Sequence, residues 1–149
     1  MYISIEYKMY KILLVILVFL FMGCQDKAIT HFYDKSIASN PIRCLRLQIV
    51  PDNAGYRKIL GSLYGFSEAC DMTLSVSYKS GIQCNSRFNV ATKSTSNFPT
   101  SYLKMELRRG LALQYSYYID LTDKPDRKEI ENAWERITKD LKIVTGSNK

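Results

Sequence analysis

Four cysteines, one histidine and 14 acidic residues are the side chains from which this 149-residue chain would build a catalytic or metal site. Cys44, Cys70 and Cys84 show no C-x-x-C spacing, so they do not match a zinc site built from cysteine pairs. The only histidine, His31, lies in a polar stretch near the start of the chain. A cysteine nucleophile would therefore lack a histidine base, and no metal or other cofactor is predicted.

The acidic residues and glycines supply no catalytic motif either. Asp120 and Asp123 flank the end of a predicted strand, where turn and capping residues are common. The sequence contains no glycine-rich phosphate-binding loop. We therefore predict that the protein is not an enzyme. An enzyme that uses Cys44, Cys70 or Cys84 is the less favoured alternative.

Basic side chains are the better candidates for binding. Lys79, Arg108 and Arg109 occupy two predicted hairpin loops, and we expect the hairpins to bring those loops to one end of a sheet. Arg46, Lys104 and Arg87 would add charge to the polar face of that sheet. Such a patch would contact the phosphates of a glycolipid or an acidic partner protein. The alternative is a set of ordinary solvated loop residues.

Tyrosines offer a second, weaker sign of an interaction surface. Tyr115 and Tyr117 share the parity of the predicted core positions, so we expect both to be mostly buried. Tyr102 and Tyr118 take the opposite parity and are expected on the exposed face. Exposed tyrosines are enriched in protein interfaces.

The first 24 residues contain the pattern of an export signal. Lys8 and Lys11 supply positive charge, residues 12–22 form an apolar run, and the small residue Gly23 follows. The run has 11 residues, whereas a transmembrane helix needs about 20. Export argues against a nucleic-acid partner, although the chain has a net charge of +7. It also places the protein where disulfides are permitted.

The pair Gly23-Cys24 resembles the lipobox of bacterial lipoproteins. The resemblance implies cleavage after Gly23, acylation of Cys24 with fatty acids such as palmitate, and attachment to a membrane through those chains. Gln25 stands where Asp would favour the inner membrane, so the resemblance implies an outer-membrane anchor facing the periplasm. An ordinary secretory signal that ends near a cysteine is the alternative, and translation from Met9 is an alternative start.

Four segments follow from these patterns. They are a signal peptide over residues 1–23, a lipidated tether over 24–41, a single α+β domain over 42–145 and a tail over 146–149. Removal of the signal peptide lowers the net charge from +7 to +6, because Lys8, Lys11 and Glu6 are lost.

The first expected elements of the domain are a strand and a short helix. Apolar residues alternate over 42–50, which predicts a strand with one buried face. Apolar residues then recur at helical spacing over 56–63, and Gly65 is expected to close that helix in a left-handed conformation. A strong amphipathic helix begins near 123–126 and ends before Gly146, with Trp134 as its core anchor.

Two hairpins are predicted between the helices. The first joins residues 72–78 to 82–88, and the second joins 103–107 to 111–119. Both are expected to have three-residue loops that end in a left-handed glycine, Gly81 or Gly110. This register pairs Val76 with Cys84 and Leu107 with Leu111, which keeps apolar residues on one face.

The predicted register also limits the cysteines. Once Cys24 is assigned to lipid, at most one disulfide can form. Cys70 and Cys84 would lie roughly 20 Å apart along the first hairpin, too far for a bridge. We expect both to be buried apolar residues, and expect any disulfide that does form to include Cys44.

The predicted fold is a two-layer α+β domain with a mainly antiparallel sheet of about five strands, in the order strand–helix–hairpin–hairpin–helix. Both helices are expected on one face of the sheet. A β-sandwich with a peripheral helix is the alternative.

The element order is similar to that of small outer-membrane lipoproteins that assist transport or assembly machines. The similarity implies a non-catalytic accessory factor that docks on a larger envelope complex for lipid or lipopolysaccharide transport or assembly. The expected partners are membrane lipid, through Cys24, and an envelope protein complex or an anionic glycolipid, but not nucleic acid. A surface-exposed binding protein or adhesin is the rival hypothesis.

Overall fold

A five-stranded sheet organises the chain in the computed structural model, which describes residues 28–82 and 99–144. The strands are β1 (Ile29–Phe32), β2 (Arg46–Val50), β3 (Met72–Lys79), β4 (Ser101–Arg109) and β5 (Ala112–Leu121). The helices are α1 (Ala54–Leu63) and α2 (Arg127–Asp140), and a single 3-10 turn spans Lys35–Ala38. The strand order is β1-β5-β4-β3-β2, and only the β2–β3 pair is parallel. The predicted α+β class with a mainly antiparallel sheet is confirmed.

Strict alternation along the strands divides the sheet into a buried and a partly exposed face. Leu74, Met105 and Tyr115 are fully buried, while the residues beside them in sequence are partly exposed. Leu60 of α1 and Ile137 of α2 belong to the same buried cluster as these strand residues. Both helices therefore cover one face, and the two-layer prediction is confirmed in preference to a β-sandwich.

The helix ends follow the capping chemistry of the sequence. The Asn53 side chain accepts a hydrogen bond from the Tyr56 amide at the start of α1, at 3.1 Å. Asp126 and Glu129 form a reciprocal capping box at the start of α2. The predicted left-handed Gly65 is wrong. The residue that caps the C-terminus of α1, Tyr64, has extended backbone, and only Gly81 and Gly110 have positive φ among residues 28–82 and 99–144.

Trp134 is the core anchor of α2, as predicted. It is buried, and its ring lies 5.6 Å from that of Tyr64 and 5.9 Å from that of Phe66. Both partners follow α1 in the chain, so this aromatic cluster joins the two helices on the same side of the sheet.

The predicted first hairpin is wrong. β3 pairs with β2 on one side and with β4 on the other, so neither edge remains for residues 82–88. Val76 lies opposite Ile49 and Met105 rather than Cys84. Residues 83–98 lie outside the described part of the chain. Gly81 does adopt the expected left-handed conformation, with φ of 69°.

The second hairpin exists, but its register differs from the prediction. The strands are joined by Gly110 and Leu111, a loop one residue shorter than expected, and Gly110 has φ of 58°. Leu107 lies opposite Tyr115 rather than Leu111, and a bulge separates Leu107 from Arg108. The shift is four residues, an even number, so Tyr115 still faces the core as predicted.

The first ordered element begins earlier than expected. β1 and the 3-10 turn lie inside the segment interpreted as a tether, so the prediction that order begins at residue 42 is wrong. Phe32 packs edge-on against Tyr115 at 5.0 Å, and Ile37 is buried in the core. A four-residue strand is too short for its alternation to stand out from a polar stretch.

One disulfide joins Cys44, just before β2, to Cys70, just before β3, with the alpha carbons 5.5 Å apart. The expectation that a bridge would include Cys44 is confirmed. Cys70 is buried, as expected, but it forms the disulfide with Cys44 instead of packing as an unpaired apolar residue. Arg46 stabilises the same turn, because its guanidinium donates to the carbonyls of Glu68 and Cys70, each at 3.0 Å. Cys84 lies outside the described residues.

Candidate docking surfaces

The predicted basic residues do not form one patch. Lys79 lies opposite Tyr102 at one end of the β3–β4 pair, and Arg109 lies opposite Met72 at the other end. Seven residues along β3 separate these positions, or about 23 Å. The prediction assumed an additional strand between β3 and β4, which would have brought their last residues to the same end. Because β3 and β4 pair directly and run antiparallel, their last residues lie at opposite ends of the sheet.

The sheet face away from the helices is the largest candidate surface, and we call it the outer face. Most of its members are polar or aromatic side chains, they come from all five strands, and most are partly exposed. They are Ile29 and His31 of β1, Arg46, Gln48 and Val50 of β2, Thr73, Ser75, Ser77 and Lys79 of β3, Tyr102, Lys104, Glu106 and Arg108 of β4, and Leu113, Ser116, Tyr118 and Asp120 of β5.

Two tyrosines form an ordered aromatic pair on the outer face. The rings of Tyr102 and Tyr118 stack at 5.8 Å with an interplanar angle of 25°. The Tyr118 hydroxyl donates to Asp120 at 2.6 Å, and this hydrogen bond, with burial, raises the pKa of Tyr118 to about 12. The pair presents apolar rings with fixed polar ends, which suits contact with a protein. The predicted placement of both tyrosines on this face is confirmed.

A charged ladder runs beside the tyrosine pair. Glu106 accepts contacts from Lys104 and Arg108, each at 2.9 Å, and its side chain is only 12% exposed. Burial tends to raise the pKa of Glu106, but the two cations outweigh it and hold that pKa below its ordinary value. Arg108 is thus already paired within the outer face. One carboxylate shared between two cations leaves the ladder with a net positive charge.

The β4–β5 turn forms a second surface, which we call the hairpin tip and define as Arg109, Gly110 and Leu111. Leu111 is 97% exposed, although the sequence pattern predicted that it would pair with Leu107 on the core face. Arg109 lies 3.5 Å from Asp71, and both side chains are largely exposed, so this ion pair is weak.

A cavity of about 230 Å³ opens beside the hairpin tip. Its walls include Arg43 and Arg109 as cations, Asp34 and Asp71 as anions, and the apolar side chains of Ile37 and Met72. A hydrogen bond from Ser36 keeps the pKa of Asp34 below its ordinary value, so Asp34 is charged at neutral pH. The cavity therefore offers both signs of charge to a bound group. Sequence reasoning missed Arg43, Asp34 and Asp71 because loop residues distant in sequence meet there.

The remaining predicted residues are placed as follows. Gly23 and Cys24 precede the described residues, so the predicted cleavage and lipidation sites stay predictions. His31 lies on β1, where its ring contacts that of Tyr33 at 4.5 Å. Within residues 28–82 and 99–144, no three His, Cys, Asp or Glu side chains are grouped so as to hold a metal ion. The helices of that part of the chain are also too short or too polar to cross a bilayer.

No protein-family model matches the chain, and neither a curated protein nor a solved structure is significantly similar to it. The function must therefore be inferred from the outer face, the hairpin tip and the segment that precedes β1.

Proposed function

We propose that the protein is a lipid-anchored envelope protein whose domain docks on a larger envelope complex as a non-catalytic accessory factor. The outer face is the observation that carries this proposal. It combines a stacked tyrosine pair with arginine and lysine on a rigid five-stranded surface. Aromatic residues and arginine are the types enriched where proteins contact one another.

The size and rigidity of the outer face also suit docking. Five strands spaced about 4.8 Å apart, with the longer strands near 30 Å, present a surface on the order of 600 Å². A typical stable interface buries about 800 Å² on each partner, so the outer face would supply most of one such side. Strand backbones are already ordered by their hydrogen bonds, so binding there immobilises little additional chain.

Two observations support an anchored position outside the cytoplasm. The Cys44–Cys70 disulfide is typical of proteins in an oxidising compartment, which agrees with the export pattern of residues 11–24. Cys24 also lies only five residues before Ile29, the first residue of β1. Five residues span at most about 18 Å, so acylation of Cys24 would hold the domain beside the bilayer.

The anchor is tested by mass spectrometry of the full chain recovered from membranes. We expect a mature chain that begins at Cys24 and bears fatty acids, and we expect the Cys24→Ser variant to lose both the fatty acids and membrane attachment. A chain that retains residues 1–23 or has an unmodified Cys24 would contradict the anchoring part of the proposal.

Docking is tested by mild crosslinking in intact cells with matched charge reversals. Lys104→Glu alters the outer face, while Lys139→Glu makes the same change on the exposed side of α2. We expect an envelope-complex adduct that Lys104→Glu abolishes and Lys139→Glu retains. Equal recovery from both variants would contradict docking through the outer face. Cleavage by protease added to intact cells would favour a surface-exposed adhesin.

A further inference from the structure

The direction of β1 determines which end of the sheet lies nearest the proposed anchor. β1 runs antiparallel to β5, with Ile29 opposite Tyr118 and Phe32 opposite Tyr115. β5 starts at the hairpin tip, so β1 runs toward the tip. The chain therefore enters β1 from the end of the sheet that holds Lys79, and the hairpin tip lies at the far end.

Strand geometry gives the separation. Ile29 shares a row with Tyr118, and Leu111 lies seven residues from Tyr118 toward the tip. Seven residues at about 3.4 Å place Leu111 some 24 Å beyond Ile29. The tip would reach the anchoring bilayer only if the domain lay on its side. With the sheet upright, the tip points away from the membrane.

The hairpin tip exposes an apolar side chain and a weakly paired arginine that a partner could contact. Leu111 exposes nearly all of its side chain at the apex of a rigid two-strand hairpin. Arg109 has only a long, exposed ion pair with Asp71, which a partner carboxylate can displace. Arg43 lines the same cavity and can approach the same carboxylate.

The charge balance around the tip favours a protein over a lipid surface. Asp34 and Asp71 line the cavity together with Arg43 and Arg109, so its walls are electrically balanced. A uniformly anionic bilayer gains little from balanced charge and is repelled by the two carboxylates. A protein segment can place a carboxylate by the arginines and backbone amides by the aspartates, because each group has its own position.

We propose that the hairpin tip and its cavity are the contact for a protein partner on the side away from the anchoring membrane. The partner presents a carboxylate to Arg109 and Arg43 and an apolar recess to Leu111. This inference rests on the proposed anchoring at Cys24 and adds a second, distal contact to the docking through the outer face.

The orientation is tested without the partner. The full lipidated chain, bearing a fluorescent amino acid at position 79 or at position 111, is placed in phosphatidylethanolamine–phosphatidylglycerol vesicles with nitroxide-labelled headgroups. We expect strong quenching at position 79 and little at position 111. Equal or stronger quenching at position 111 would mean that the tip lies on the bilayer, and would overturn the inference.

The contact is tested by a photo-crosslinking amino acid at position 111 in intact cells. Arg109→Glu is compared with Lys139→Glu, the same charge reversal at an exposed position of α2, away from both the hairpin tip and the outer face. We expect one protein adduct, crosslinked beside an acidic residue, whose yield falls about tenfold with Arg109→Glu and is unchanged with Lys139→Glu. A lipid adduct, no adduct, or an adduct insensitive to Arg109→Glu would overturn the inference.

This experiment distinguishes a failure of the proposed anchoring at Cys24 from a failure of the proposed contact at the hairpin tip. The mass of each recovered chain reports whether Cys24 is acylated, whatever the crosslink shows. An unmodified Cys24 overturns the anchoring, while an acylated Cys24 without the expected adduct overturns the tip contact alone. Arg109 and Leu111 are both exposed, so these variants should fold, and an unchanged urea midpoint checks that they do.

Discussion

Removal of the Cys44–Cys70 disulfide should destabilise the domain mainly by increasing the conformational entropy of the unfolded chain. The two cysteines are 26 residues apart in sequence, and the cross-link closes that loop in the denatured ensemble. The chain-entropy relation for a loop of that length gives about 3.5 kcal/mol at 25 °C. Against a total stability of 5–15 kcal/mol for a typical domain, replacement of both cysteines by alanine removes a large fraction.

The folded state should tolerate this change. Arg46 still binds the carbonyls of Glu68 and Cys70, each at 3.0 Å, and the Ser67 amide donates to the Leu45 carbonyl at 2.9 Å. These bonds hold the turn before β3 against β2 without the cross-link. The loss of free energy should therefore come with a native-like fold.

Urea unfolding followed by Trp134 fluorescence measures the effect. Trp134 is the sole tryptophan of the chain and is buried in the aromatic cluster that joins the helices. The full chain is used in non-ionic detergent, with Cys84→Ala in both proteins so that Cys84 cannot form a different bridge. We expect a lower midpoint and a larger m-value for the Cys44→Ala/Cys70→Ala variant, because its unfolded chain exposes more surface.

Reduction of the parent protein provides the control, since it should shift the midpoint as far as the double substitution does. A loss below about 1 kcal/mol with an unchanged m-value would refute the reasoning, because the cross-link would then not restrict the unfolded chain.

Three further predictions concern the hairpin and the outer face. Leu107→Ala should lower the free energy of unfolding in urea by about 2–5 kcal/mol, because Leu107 is fully buried. Leu111→Ala should change it by no more than about 0.5 kcal/mol, because Leu111 is exposed. Equal effects would mean that the hairpin register is wrong. Glu106→Gln should unfold with a lower free energy than the parent at pH 7, and this difference should shrink as pH falls below about 4.5. Folding lowers the pKa of Glu106, so the charged carboxylate stabilises the folded state, and protonation removes that stabilisation. Asp120→Asn should lower the pKa of Tyr118 from about 12 toward 10 in a spectrophotometric titration, and an unchanged pKa would exclude the Tyr118–Asp120 hydrogen bond as its cause.

Away from the β4–β5 turn, alternation predicted the face of the sheet on which each strand residue lies, but it did not predict which residue lies opposite on the neighbouring strand. Tyr115 faces the core and Tyr118 the outer face, as their parity requires. The partner of Leu107, however, is four residues from the predicted one. A four-residue shift keeps Tyr115 on the predicted face, although the bulge beside Arg108 places Leu113 on the outer face. A pattern with a period of two therefore constrains the face of a residue and leaves its register open.

The failed first hairpin has a similar cause. Residues 72–78 show an alternating pattern that β2, β4 or a strand over 82–88 would satisfy equally well, since each presents apolar residues to the same face. The parallel β2–β3 pair and its crossover through α1 depend on packing between distant parts of the chain. Nothing local to residues 72–78 distinguishes these choices.

The hairpin tip and its cavity escaped prediction for a different reason. An apolar residue such as Leu111 is assigned to the core by its pattern, and only the two-residue turn moves it to the apex. Arg43, Asp71 and Arg109 meet at the cavity because the disulfide and the sheet bring three separate segments together. The inclusion of Cys44 in the disulfide was predicted correctly, but from the register of a first hairpin that does not form, so that agreement does not support the predicted register.

The pairing of β1 with β5 also determines how the domain bears tension. A force applied to the residues before Ile29, while the far end of the sheet is held fixed, acts along the common axis of β1 and β5. The inter-strand hydrogen bonds lie across that direction, so they are loaded in shear and share the force, and must fail together. Unzipping from one end would instead break them one at a time and at a lower force. A strand of only four residues, packed through Phe32 against Tyr115, can thus resist extraction better than its length suggests.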